Sequence, residues 1–193
     1  MRKVNNMDLK ELEKIAKERL SEKRFYHSQC VMERCEEIAK KFGCDIEIAK
    51  KVGIIHDIAK EIPPEEKLNY CKKYNIEVDE IEKENTSLLH AKIGADIAER
   101  KFGFTKQMAN AIKAHTTGLP GMDMLAKILF IADRTSKERE LSDIGYINEL
   151  LDKNIDETIL YILDKKIELQ IQKRASMHIN SIITRNWIIG ELI

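Results

Sequence analysis

Only eight glycines and three prolines punctuate 193 residues, and this scarcity of turn formers is the strongest constraint on the fold. A chain rich in Leu, Ile, Lys and Glu with so few breaks reads as nearly all helix. Strand-like alternation competes nowhere, and no Ser/Gly-rich linker marks a boundary. The expectation is therefore an all-α, compact helical unit. Its length suits one domain over 1–193, able to bury a core without disulfides or a structural metal.

Apolar spacing places the helices. Asp8–Leu20 carries Leu9, Leu12, Ile15, Ala16 and Leu20 at helical period. A polar break at Ser21–Arg24 precedes a second helix, Phe25–Phe42, ended by Gly43. Asp45 caps a third, expected to run through Ala59 until Pro63-Pro64 closes it and Pro64 opens a fourth near Glu65–Tyr74. Ile76–Asn85 is polar and weakly determined. Thr86–Phe102, with Gly103 as its stop, and a helix capped by Thr105 follow. Thr117–Gly121 is the strongest loop signal. Met122–Thr135 reads as short, apolar and central. Asn154–Arg174 and Ser176–Leu192 are the late helices, expected to pack on a motif-bearing core at about 24–139. Trp187 is expected to pack that core or a subunit contact, which leaves room for a homodimer.

Charge narrows the partners. Lys plus Arg equals Asp plus Glu at 33 each. A broad positive surface for nucleic acid is thereby disfavoured, although a local basic pocket for a small anion is not. The longest stretch without Asp, Glu, Lys or Arg is ten residues, Ala175–Thr184, so no membrane span is expected. Met1–Lys17 holds no apolar signal core. Cys30, Cys35, Cys44 and Cys71 form no C-x-x-C pair, which reads as reduced thiols in the cytoplasm.

The histidines are placed unusually. His27 precedes a helix ending in Lys41-Phe42-Gly43, and the next helix reaches His56. His90 precedes a helix ending in Lys101-Phe102-Gly103, and the next reaches His115. Two helical hairpins would thus present histidines at their ends toward one place. His56 and Asp57 lie inside the apolar run Val52–Lys60, where two ionisable neighbours need partners. A divalent metal is one such partner; a core histidine bonded to a neighbour or to a carbonyl is the other. Asp133 borders the apolar run Leu129–Ala132. His178 lacks such company and reads as ordinary surface.

The pattern His27, His56-Asp57 and Asp133 resembles the HD superfamily of metal-dependent phosphohydrolases. HDIAK at 56–60, LLHAKIGA at 88–95, HTTGLPGM at 115–122, IAD at 131–133 and NWIIG at 186–190 are similar to the YqeK family, bacterial symmetrical bis(5′-nucleosyl)-tetraphosphatases. The resemblance spans about Arg24 to Trp187. It implies an all-helical HD domain with a metal site at the ends of central helices. It implies a hydrolase that splits diadenosine tetraphosphate into two ADP by attack of a metal-bound hydroxide. Another nucleotide substrate, or a nucleotide sensor without turnover, are the alternatives. The implied metal ligands are His27, His56, Asp57 and Asp133, suited to Fe, with Mn or another divalent ion next. His90 and His115 would hold a second ion, meet phosphate, or serve as general acid. Asp57, Lys60, His90 and His115 form the expected catalytic set. Arg24, Lys60, His90, His115, Thr117, Arg134 and Arg139 form the expected substrate-binding set, with Thr116 and Gly118 in the same small-residue loop. The stretch after Asp133 departs from the family pattern: Ser136 and Lys137 stand where a Glu and a Pro are usual.

Overall fold

A computed structural model describes residues 7–192. Residues 1–6 and 193, which the single-domain expectation included, lie outside the described residues. Eleven α-helices and no strand occur among the described residues: α1 (Leu9–Arg19), α2 (Glu22–Phe42), α3 (Ile46–Ile55), α4 (Pro64–Tyr74), α5 (Glu80–Glu84), α6 (Leu89–Phe102), α7 (Lys106–Ala114), α8 (Met124–Thr135), α9 (Ile144–Lys153), α10 (Ile155–Gln172) and α11 (Ile179–Leu192).

Local chemistry sets the boundaries. Asp8, Ser21, Asp45, Asp79, Thr105, Asp123 and Asn154 each accept a backbone N–H of the first turn that follows. Because Ser21 is a cap, α2 starts at Glu22 and the expected break shrinks to two residues. The two Lys-Phe-Gly corners work alike. Gly43 (φ 66°) and Gly103 (φ 73°) adopt the left-handed conformation that closes α2 and α6.

Three expectations need correction. The helix from Asp45 ends at Ile55, not Ala59. Beyond it, Ile58, Lys60 and Ile62 donate to the carbonyls three residues earlier, a tightened turn. The segment 136–153 carries a helix, α9, that was not anticipated. The last helix begins at Ile179 rather than Ser176.

The packing has α8 at its centre, touching α2, α3, α7 and α10. Ile128, Leu129 and Ile131 of α8 are fully buried, against core residues that include Val31, Ile38, Ile54, Ile55 and Ile112. The hairpins α2–α3 and α6–α7 flank it, while α9, α10 and α11 cover one side. Trp187 packs against this core, with Lys127 Nζ 5.4 Å from its ring centre. No helix among the described residues is long and apolar enough to cross a membrane.

Candidate metal centre

Five elements meet at one place. His27 lies in the second turn of α2, and His56 caps the C-terminus of α3. Asp57 opens the tightened turn after α3. His90 is the second residue of α6, His115 caps α7, and Asp133 sits in the last turn of α8. His27, His56, Asp57, His90 and His115 are all buried. The two hairpins therefore present their four histidines to one spot, as their sequence placement suggests.

Hydrogen bonds fix which imidazole nitrogen carries the proton. His56 Nδ1 lies 2.7 Å from the Gly53 carbonyl, His90 Nδ1 2.5 Å from that of Ser87, and His115 Nδ1 2.6 Å from that of Ile112. A carbonyl only accepts, so each Nδ1 donates and each Nε2 keeps a lone pair. His27 Nδ1 donates to the Glu138 carboxylate, which leaves its Nε2 facing the Asp133 carboxylate, where a metal would take the place of a proton.

The Nε2 lone pairs and two carboxylates converge. His27 Nε2 lies 3.3 Å from His56 Nε2 and 3.1 Å from Asp133 Oδ1. Asp57 Oδ2 is 3.8 Å from His27 Nε2 and 3.6 Å from His56 Nε2. The other oxygen of Asp57 faces a second pair: Oδ1 is 3.1 Å from His90 Nε2 and 3.7 Å from His115 Nε2, which are 3.1 Å apart. Asp57 thus joins two groups of metal-ligating atoms, His27–His56–Asp57 and Asp57–His90–His115. Arg24, Lys60, Arg139 and the Thr116 hydroxyl offset part of the repulsion among these acceptors, and a divalent cation between them would offset it directly. The donor set of imidazoles and carboxylates fits a divalent ion of the Fe or Mn type.

The electrostatics agree. Burial pushes the pKa of His56 and of His90 down to about 4. Burial also lowers that of His27, but bonds to Asp133 and Glu138 outweigh it and leave the net shift upward. Burial would raise Asp57 and Asp133, yet the surrounding histidines hold both well below the usual carboxylate range.

A cavity of about 190 Å³ opens onto the centre. Its walls include Arg24, Asp57, Lys60, His90, His115, Thr116, Asp133, Arg134 and Arg139. Arg24 Nη1 donates to Asp57 Oδ2 at 2.8 Å, and Arg139 Nη2 to Asp133 Oδ1 at 2.7 Å. Lys60 Nζ lies 3.3 Å from His90 Nε2. Lys60 gets there through the three-residue period of the turn, which stacks it on Asp57, rather than through a helical turn from His56. Thr117 does not line this cavity; Thr116 does, and Thr117 faces a smaller neighbouring one.

The sequence reading missed three contributors. Phe130, Ile162 and Lys166 complete the wall, the last two from α10. Lys166 donates to the Thr116 carbonyl, and burial pulls its pKa down to about 8. The signal was available: Ile155, Ile159, Ile162 and Leu163 mark the buried stripe of α10, and Lys166 continues it. His178 is corrected too. It is buried at 7% exposure, with Nε2 2.8 Å from Asp79 Oδ2. Its Nδ1 accepts from the Asn180 amide at 3.1 Å, so the imidazole is neutral, with its proton on the Nε2 that faces Asp79 and Glu82.

Fold and site together define an all-helical protein with a buried histidine–aspartate cluster of metal-ligating type. The profile of the HD domain matches residues 24–138, and the chain belongs to that family. HD domains bind divalent metal, and the cluster above gathers donors of the kind such an ion takes. The chain is similar to the symmetrical bis(5′-nucleosyl)-tetraphosphatase of Bacillus subtilis (strain 168), 27% identical over 175 residues that cover 90% of this chain and 94% of the relative. The protein of the same name from Staphylococcus aureus (strain NCTC 8325 / PS 47) is 30% identical over 172 residues, covering 83% and 88%. Among solved structures, a predicted HD superfamily hydrolase involved in NAD metabolism from Clostridium acetobutylicum superposes with a TM-score of 0.91 at 31% identity, covering 96% of this chain and 98% of that one.

Proposed function

We propose that this protein is a metal-dependent hydrolase of dinucleoside tetraphosphates that cleaves diadenosine tetraphosphate symmetrically into two ADP. The observation that carries this reading is the juxtaposition of the centre with five cationic side chains. Arg24, Lys60, Arg134, Arg139 and Lys166 line the cavity against only two carboxylates, Asp57 and Asp133. Lys60, Arg134 and Lys166 have no carboxylate partner among the described residues, so their charge is free for a polyanion. Relatives named as symmetrical tetraphosphatases support the choice of substrate.

His27, His56, Asp57 and Asp133 would hold the metal, with iron first and manganese next. His90 and His115 would hold a second ion beside it. When bound, the metal lowers the pKa of water and polarises the phosphoryl oxygen. The residues of the chain do the rest. Asp57 ties the two halves of the centre. His90 and His115 point unprotonated Nε2 atoms inward, which suits ligation or acceptance better than proton donation. Lys60 brings an ammonium to 3.3 Å from His90 Nε2, where it would meet the leaving diphosphate oxygen, beside the Thr116 hydroxyl at 3.2 Å from His90 Nε2 and 3.0 Å from His115 Nε2. Arg24, Arg134, Arg139 and Lys166 orient and neutralise the phosphate chain. Thr117 would then act from behind the wall, through the loop it shares with Thr116. The cytoplasm is the compartment this reading implies, in keeping with four free cysteines.

Product analysis tests the assignment. Two ADP and no AMP plus ATP are expected from diadenosine tetraphosphate; AMP plus ATP would overturn symmetrical cleavage. One observation favours a second reading: the solved relative is named for NAD metabolism, and NAD also carries a phosphoanhydride bridge between two nucleosides. A panel of NAD, mononucleotides and dinucleoside polyphosphates ranked by kcat/KM separates the two.

A further inference from the structure

Three of the four inward-facing histidines are steadied by their own backbone. His56, His90 and His115 each donate Nδ1–H to the carbonyl three residues earlier. Those bonds come with the local turn and need no distant partner. His27 has no such bond. Its Nδ1 reaches Glu138, 111 residues away in sequence.

Asp133 is held from the same short segment, by Arg139 at 2.7 Å. So the ligand-type residues offered by α2 and α8 both lean on one turn, Lys137–Arg139. That turn is itself built with care. Ser136 Oγ donates to Glu138 Oε1 at 2.7 Å, and Lys137 Nζ pairs with Glu33 at 2.6 Å. Glu140, just beyond, has φ 46°, a conformation that residues with a Cβ adopt only when their surroundings impose it. The Glu138 side chain is 18% exposed, and its Oε2 is buried without a partner. A carboxylate placed there for solubility or capping would turn its oxygens to solvent or to a helix end.

We propose that Glu138 is the positioning residue for His27, and that the turn carrying it is a clasp that sets how tightly the centre retains metal. The carboxylate holds the Nδ1–H and so leaves Nε2, which faces Asp133 and His56, as the nitrogen that would ligate the metal. Its negative charge behind the ring strengthens the nitrogen as a donor. Without it, His27 is the one imidazole of the four free to flip or change tautomer. The inference rests on the metal reading above but not on any substrate.

The test is Mn²⁺ affinity of the full chain, read from the EPR signal of free Mn²⁺ during titration, for wild type, Glu138→Gln and Glu138→Asp. Thermal unfolding of each metal-free protein runs alongside. Glu138→Gln is expected to bind Mn²⁺ about 10- to 100-fold more weakly, the usual cost of removing such an outer partner. Its metal-free midpoint should stay near wild type, and Glu138→Asp should recover most of the loss. A Glu138→Gln affinity within threefold of wild type overturns the proposal. So does equal loss in both variants together with a lowered metal-free midpoint, which would make Glu138 a structural residue only. Absence of tetraphosphate hydrolysis in a protein whose Mn²⁺ affinity responds as expected would sink the substrate reading and leave this one standing.

Discussion

Gly53→Ala tests whether the α2–α3 hairpin is packed as tightly as the centre requires. A Cβ built on Gly53 lies 2.8 Å from Met32 Cα, 3.1 Å from Met32 N and 3.2 Å from Cys35 Sγ. Two of those atoms are backbone, so no side-chain rotation relieves the overlap; α3 must move away from α2. Overpacking of this kind costs about 1–3 kcal/mol. Replacing a helical glycine by alanine returns up to about 1 kcal/mol. The net expectation is about 1–2 kcal/mol of destabilisation. At about 2–4 °C per kcal/mol for a chain of this size, Tm falls by about 2–8 °C. Gly190→Ala, in α11 with nothing within 4 Å of the added carbon, is the control with the opposite sign and should raise Tm slightly. Because the Gly53 carbonyl also accepts the His56 Nδ1–H, a shifted α3 should weaken metal retention as well. Differential scanning calorimetry on both variants decides. An equal or higher Tm for Gly53→Ala would refute the close contact and the reasoning built on it.

Asp57→Ala removes the oxygen pair shared by both halves of the centre and leaves Arg24 without its carboxylate; turnover should vanish and bound metal fall in elemental analysis, and wild-type activity would dismiss the metal mechanism. Lys166→Met keeps the length of the side chain but loses a charge facing the cavity; KM should rise about tenfold or more with a smaller change in kcat, as for a lost charge-assisted contact, and steady-state kinetics would show it. Metal-free protein should lose stability as pH falls from about 6.5 toward 4. His56 and His90, pushed to about 4 by burial, bind protons more readily when unfolded, which works against the fold by up to about 3 kcal/mol each at pH 4. The depressed Asp57 and Asp133 act in the same direction below about pH 4, whereas the raised His27 opposes it. Urea unfolding across that range would expose the sign, and flat stability from pH 7 to 4 would contradict it.

What could be read from sequence followed local rules. The Lys-Phe-Gly corners, the caps and the apolar stripes are nearest-neighbour chemistry, and they located both hairpins and their histidines. What escaped was long-range or turned on a single face. Lys165 and Lys166 are identical in sequence terms, yet Lys165 pairs with Glu168 in solvent while Lys166, one 100° step round the helix, enters the cavity. His178 is buried among groups distant in sequence, Asp79 and Glu82 from about a hundred residues earlier among them. The end of α3 depended on a change of period, from i−4 to i−3 bonds after Ile55, that no residue type announces. The missed α9 is different: Ile144, Ile147 and Leu151 have helical spacing, but Asp143 makes no side-chain cap bond to mark the start.

The zero net charge takes on meaning once the cavity is known. Five of the 33 basic residues and only two of the 33 acidic ones line it, so the rest of the chain carries more negative than positive charge. The rest of the chain therefore offers a polyanion no broad positive surface, while the cavity concentrates positive charge, an arrangement that suits a compact phosphate chain better than extended nucleic acid. Part of that positive charge comes from outside the HD-matched residues 24–138, since Arg139 and Lys166 follow them and Ile162 closes the wall beside Lys166. Residues 24–138 gather the candidate metal donors; α10 and the turn that carries Arg139 add cations and shape around them. On the proposed reading, substrate choice would rest in good part on the elements that follow α8, and the chemistry on the two hairpins and α8 itself.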